Sequence, residues 1–159
     1  MPKPTQADAD LLLRLYEMRR EPELRRARMW MLSEFKPTTW ADIKARYLSH
    51  EDTDRWFRMT TSYWEMVGAM VNRGVLNAEL FFDHTGEDIV TWERVKGLVP
   101  DARADIRPTY LFQFEKLVQA HQAYRKKTNA AALAAAKKST NGEGAAAPAA
   151  SGSRRARRR

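Results

Sequence analysis

Apolar residues recur along this chain at three- and four-residue intervals with no alternating run of useful length, a pattern that predicts helices throughout. Leu11, Leu12, Leu15 and Met18 form one side of a first helix, with Asp8 or Asp10 placed to cap it. Pro22 suits the first turn of a second, whose stripe is Leu24, Ala27, Met31 and Phe35 before Pro37 ends it. Met29 and Trp30 fall off that stripe, so this helix is expected to be contacted from more than one direction. Thr39-x-x-Asp42 resembles a capping box and opens a short helix faced by Trp40, Ile43 and Tyr47.

The longest helix is predicted over about residues 50-73, capped by Ser49, with Glu51 and Asp52 complementing the positive dipole end. Trp56, Met59, Tyr63, Trp64, Met66, Val67, Met70 and Val71 spread over about half of its cylinder. Arg58, Thr61, Ser62, Glu65 and Asn72 take the other half. An apolar arc that wide marks a central helix packed on two sides. Gly68 at the edge of the arc permits close approach of another helix, and Gly74 is placed as the C-terminal stop.

Beyond it, Asn77 caps a short helix with Leu80, Phe81 and Phe82, and Thr85-Gly86 breaks it. Ile89, Trp92, Val95 and Val99 face the next helix, up to Pro100. Residues 101-107 read as a turn or a single helical turn. A last helix begins at Pro108 and runs to about Tyr124, faced by Tyr110, Leu111, Phe114, Leu117, Val118, His121 and Tyr124, with Phe112 pointing away. The fold class is all-α: a compact bundle of about five to seven helices around the long one.

Composition divides the chain in two. Residues 1-125 hold 19 Lys+Arg against 19 Asp+Glu, and all of the aromatic residues. Residues 126-159 hold nine bases and one acid, Glu143, which accounts for the whole formal charge of +8. Those bases are Lys126, Lys127, Lys137, Lys138, Arg154, Arg155, Arg157, Arg158 and Arg159. Residues 1-125 therefore read as a neutral helical domain, and residues 126-159 as an Ala-rich, Arg-terminated flexible tail. Ala favours extension of the last helix over residues 130-138, but with only Leu133 to bury, that extension is expected to fray.

Candidate chemistry is sparse. Cys is absent, so there is no disulfide, thiolate metal site or thiol nucleophile. The residues three before His50, His84 and His121 are Tyr47, Phe81 and Val118, so the Glu-x-x-His spacing of a di-iron bundle fails at each. Neither a phosphate-binding glycine loop nor a nucleophile elbow occurs. No catalytic, cofactor-binding or metal-binding residue is assigned, and no cofactor is expected. Asp83-His84, with Glu79 and Glu87 nearby, reads as a polar loop between helices rather than a metal site, His121 as a core histidine bonded to a neighbour, and Glu65 as a solvated glutamate. Arg19, Arg20, Arg25, Arg26 and Arg28, interleaved with Glu17, Glu21 and Glu23, read as a surface ion-pair lattice rather than an anion-binding patch.

Three stretches carry a family resemblance: residues 15-25 (LYEMRREPELR); Tyr63-Trp64-Glu65-Met66-Val67-Gly68, continued by Asn72-Arg73-Gly74-Val75-Leu76; and Val90-Thr91-Trp92-Glu93-Arg94 with Arg103. From about Leu12 to Tyr124 the pattern resembles a bacterial helical domain of unknown function of the DUF4760 type. The resemblance implies a compact helical fold and brings no activity, ligand or catalytic residue; the Arg-rich tail lies outside it.

The leading expectation is a cytoplasmic, non-catalytic protein-interaction module whose partner is a protein, self or other, with Met29, Trp30 and Phe112 as candidate interface. Salt-sensitive nucleic-acid or anionic-surface contact through the tail is the alternative. The third is an enzyme with an interhelical pocket in which Glu65, Glu93 or His84 converge. The apolar runs are too short for a membrane span.

Overall fold

Local sequence chemistry sets most of the helix boundaries in the computed structural model, which describes residues 3–143, with side chains through residue 137. In chain order the elements are α1 (Gln6–Arg20), α2 (Pro22–Ser33), α3 (Trp40–Arg46), α4 (Glu51–Asn72), α5 (Ala78–His84) and α6 (Glu87–Val95). A 3-10 turn (Lys96–Leu98), α7 (Val99–Asp105) and α8 (Phe112–Glu143) follow. No strand occurs among the described residues. Met1–Arg125 forms one unit and a second begins at Lys126.

Several helix starts follow the predicted chemistry. Pro22 occupies the first turn of α2, where its missing N–H costs nothing, and the Glu21 carboxylate accepts from Leu24 N at 2.8 Å. Asn77 Oδ1 accepts from Leu80 N at 3.0 Å and opens α5. Two caps differ from expectation. Thr5 caps α1, with Asp8 as the reciprocal partner of a capping box, because the helix begins one turn earlier than its apolar stripe. Ser49 does not cap α4: its hydroxyl bonds back to Ala45 O, and His50 holds the cap position without a side-chain bond. Glu51, Asp52 and Asp54 supply negative charge to that first turn instead.

The core forms around α4 and is unusually aromatic. Trp30, Phe35, Tyr47, Trp56 and Phe57 make one cluster of tilted and edge-on rings where α2, α3 and α4 meet. Trp64 stacks on Phe114, and Trp92 meets Phe114 edge-on, joining α4, α6 and α8. Thr61, placed on the polar half of α4 by its residue type, is buried, and its hydroxyl bonds to Phe57 O at 2.8 Å. Phe57, outside the predicted arc, is buried too. Neighbours surround more of α4 than the hydrophobic stripe indicates.

The start of α8 is docked on α4 by three residues on one helical side. Glu65 is not a solvated glutamate. Its two carboxylate oxygens accept from Gln113 N at 3.2 Å and Phe114 N at 2.8 Å, satisfying donors that a helix N-terminus leaves orphaned. One turn on, Gly68 lets the α8 backbone close in: an added Cβ would sit 2.6 Å from the Gln113 carbonyl carbon. Asn72 Nδ2 then donates to Gln113 O at 2.9 Å. Leu111, just before α8, has a φ of 52°, a left-handed conformation that costs a non-glycine residue about 1–2 kcal/mol. Burial of its side chain offsets that cost. Gly74, with a φ of 70°, ends α4 as predicted.

Helix α8 runs to Glu143, past the Tyr124 end that its apolar stripe predicts, and is longer than α4. The alanine-rich stretch sustains helix without a stripe because alanine loses no side-chain freedom there. Of the flexible tail expected over residues 126-159, residues 126-143 continue α8 and residues 144-159 lie outside the described residues.

Candidate functional site

Two adjacent acidic residues in the first turn of α6 organise the polar chemistry of the domain, one facing α8 and the other facing α1 and α2. Asp88 faces inward to His121 on the apolar side of α8; His121 Nδ1 donates to Asp88 Oδ2 at 2.8 Å, and both residues have 0% exposure. Phe82 stacks on the imidazole with centroids 4.6 Å apart, and Phe81 meets its edge. The carboxylate assigns the proton to Nδ1. Asp88 Oδ1, His121 Nε2 and the Thr91 hydroxyl are buried without a hydrogen-bond partner among the described residues. A dyad sealed in this way has no face for a substrate; it ties α6 to α8. His121 is a core histidine bonded to a neighbour, as its place on the apolar face implies.

Glu87 faces α1 and α2, its side chain 15% exposed, and receives two arginines. Arg19 Nη2 donates to Glu87 Oε2 at 2.6 Å, and Arg28 grips both carboxylate oxygens in a fork. Burial pushes Glu87 up, yet the bonds and charges of Arg28 and Arg19 outweigh it and hold the carboxyl below its ordinary 4.5. The same fork raises Arg28. The arginine cluster is therefore only in part the local lattice that its interleaved glutamates suggest: Arg26 pairs with Glu23 at 3.6 Å, but Arg19 and Arg28 reach across to α6. Glu21 is occupied as the α2 cap, and no Glu21–Arg25 pair forms. Arg25 Nη2 instead donates to Arg20 O at 3.2 Å, and Arg28 Nη1 to Arg19 O at 2.9 Å, closing the carbonyl end of α1.

Those side chains line a pocket of about 300 Å³ between the end of α1 and α2, with Arg19, Arg20, Arg25 and Arg28 on its walls. Tyr16, Met29 and Leu32 supply its apolar surface. A second depression of about 410 Å³ lies on the other side of α1, lined by Met18, Leu24, Met59, Ser62, Tyr63 and Met66. The Tyr63 hydroxyl donates to Leu15 O at 3.1 Å, and burial pushes it up to about 12.

The residues named from sequence separate. Met29 is 62% exposed at the arginine pocket, and Phe112 is 38% exposed with Lys116 Nζ 4.5 Å from its ring centroid. Trp30 is not a surface residue: at 4% exposure it belongs to the aromatic core, because α2 is packed from more than one side. Glu65, Glu93 and His84 have separate partners. Glu65 caps α8, Glu93 pairs with Lys96, and His84 lies edge-on to the Tyr16 ring. Burial, then the Arg19 charge, lowers His84 below its usual 6.5. Asp83 accepts from the Tyr124 hydroxyl at 2.8 Å. No group of three His, Asp or Glu residues suited to a metal ion occurs among the described residues. Lys126, Lys127 and Lys137 are exposed. The side chains of Lys138, Arg154, Arg155, Arg157, Arg158 and Arg159 lie outside the described residues. What sequence reading missed is the role of Glu87, visible only as one acid of the polar loop around His84 and not as the partner of Arg19 and Arg28.

The chain matches a domain of unknown function (DUF4760) over residues 4–121 and belongs to that family. No curated protein and no solved structure matches the chain. No helix among the described residues is long and apolar enough to cross a membrane.

Proposed function

We propose that this domain is a non-catalytic protein-interaction module whose contact surface is the methionine-lined groove between α1, α2 and α4. One observation carries the reading. Met18, Met59 and Met66 meet beside Leu24 and Tyr63 around an open depression of about 410 Å³. Met18, on the apolar stripe of α1, is left 46% exposed there instead of being covered by a neighbouring helix. Methionine is unbranched and polarizable, so it repacks around an incoming apolar side chain, and it is enriched at interfaces. The fitting partner is a protein segment, from a second copy or another protein, offering two or three apolar side chains at helical spacing. A cytoplasmic setting belongs to this reading.

A photo-cross-linking residue at position 18 in the full chain tests it. A discrete product, either a dimer or a single heterologous adduct, is expected, and Met66→Glu should abolish it. A monodisperse monomer with no product at position 18 would overturn the proposal.

The second reading assigns residues 126-159 to non-specific polyanion contact as a separable tail. It rests on the nine bases against one acid in that stretch.

A further inference from the structure

The pocket between α1 and α2 gathers four guanidinium groups from sequence positions only nine residues apart, and the fold neutralises them unevenly. Arg19 and Arg28 share the Glu87 carboxylate. Neither Arg20 nor Arg25 has a carboxylate within ion-pair distance among the described residues. Arg20 lies over the Tyr16 ring, its guanidinium carbon 5.8 Å from the centroid, and Arg25 is tethered to Arg20 O. Arg19 Nε is buried with no hydrogen-bond partner. With Glu87 as the counter-charge to four arginines, the pocket carries a formal surplus of three positive charges. Like charges held this close repel one another, and a bound anion of more than one charge relieves that repulsion.

We propose that this pocket binds a phosphate monoester, with Arg20 and Arg25 as the ligating guanidiniums. Arginine forks match the paired oxygens of a phosphoryl group, and a tetrahedral phosphate presents enough oxygens to engage two forks at once. The Arg25–Arg20 O bond and the packing of Arg20 on Tyr16 hold those forks in place before the ligand arrives, which reduces the ordering cost of binding. Arg19 and Arg28, fixed by Glu87, form a positive rear wall without needing to move. Met29, 62% exposed, and Leu32 form an apolar flank suited to a small organic body on the ester oxygen. At about 300 Å³ the pocket is at the small end of ligand sites, so the body is one ring or a short chain. This site is distinct from the methionine groove: Met18 lies on the opposite side of α1 from Tyr16 and Arg20.

Calorimetric titration of the full chain with phenyl phosphate, inorganic phosphate and benzoate tests the assignment. Phenyl phosphate is expected to bind, and benzoate, with the same ring and a single charge, to bind at least about tenfold more weakly. Tighter binding of phenyl phosphate than of inorganic phosphate identifies a soluble monoester as the source. Vesicles of phosphatidylcholine carrying phosphatidic acid identify a lipid headgroup if they compete with phenyl phosphate. Arg20→Gln with Arg25→Gln should weaken phenyl phosphate about tenfold or more. Arg20→Gln alone, at an exposed residue, keeps the test valid if the double variant folds poorly. Arg14→Gln, on the same helix away from the pocket, should change nothing. No binding, equal binding of benzoate, or binding that survives both pocket variants (as contact with the tail would) overturns the proposal.

Discussion

Tyr63 shows what one residue gains from being enclosed. Its hydroxyl is buried against Leu15 O, and burial moves its ionisation up to about 12. The neutral phenol is the form the fold prefers. Its contribution is complete below an unfolded value of about 10 and is lost as the pH rises towards 12. Ultraviolet titration should show one tyrosine ionising near 12, and Tyr63→Phe should remove that step from the difference curve. Gly68 is the complementary case, a residue that matters for what it lacks. Gly68→Ala would drive a methyl into the Gln113 backbone, which cannot yield like a flexible side chain. A loss of about 1–3 kcal/mol in urea unfolding is expected. The glycine's role was legible because it sits at the edge of the α4 arc. The role of Glu65 was not, because a carboxylate facing water and one facing another helix's N–H groups look alike in sequence.

Helix α4 joins α8 through Glu65, Gly68 and Asn72, spaced three and four residues apart so that they share one side. Glu65→Ala should cost about 2 kcal/mol, since charge-assisted bonds to two backbone donors are lost. Faster amide exchange at Gln113 and Phe114 should accompany that loss. Glu65→Gln, which keeps an acceptor oxygen, should recover part of it. Helix α6 joins α1 and α2 through Glu87. Its lowered carboxyl stabilises the fold above an unfolded value of about 4.5, and that contribution disappears as the pH falls through the lower folded value. Glu87→Gln should therefore cost about 2 kcal/mol near neutrality, and the variant should lose less further stability than the parent between about pH 6 and pH 3. Urea midpoints at the two pH values decide it. Sequence spacing favours pairs within one helix, such as Glu21 with Arg25, because nothing in it records that Glu87 folds back some 60 residues onto Arg28.

At the scale of the whole chain, charge and fold are separable. Residues 1-125 are balanced, and the surplus of +8 lies beyond them. If about five of the terminal charges meet phosphates, DNA affinity should follow a log–log salt slope near −4.5, a loss of about 500-fold between 50 and 200 mM. Truncation after Arg125 should abolish this binding; a truncated domain that still binds DNA would assign it elsewhere. The chain by itself determined the all-α class, most of the helix boundaries and the segregation of charge, because periodicity, capping and composition act over a few neighbouring residues. Only the tertiary structure decided which polar residues turn inward. Asp88 and Glu87 are neighbours of nearly the same chemistry, yet one is sealed against His121 and the other is shared by two arginines beside a pocket. That difference comes from the rotation of one helix against its neighbours, a quantity set by packing of the whole core and by no local stretch of sequence.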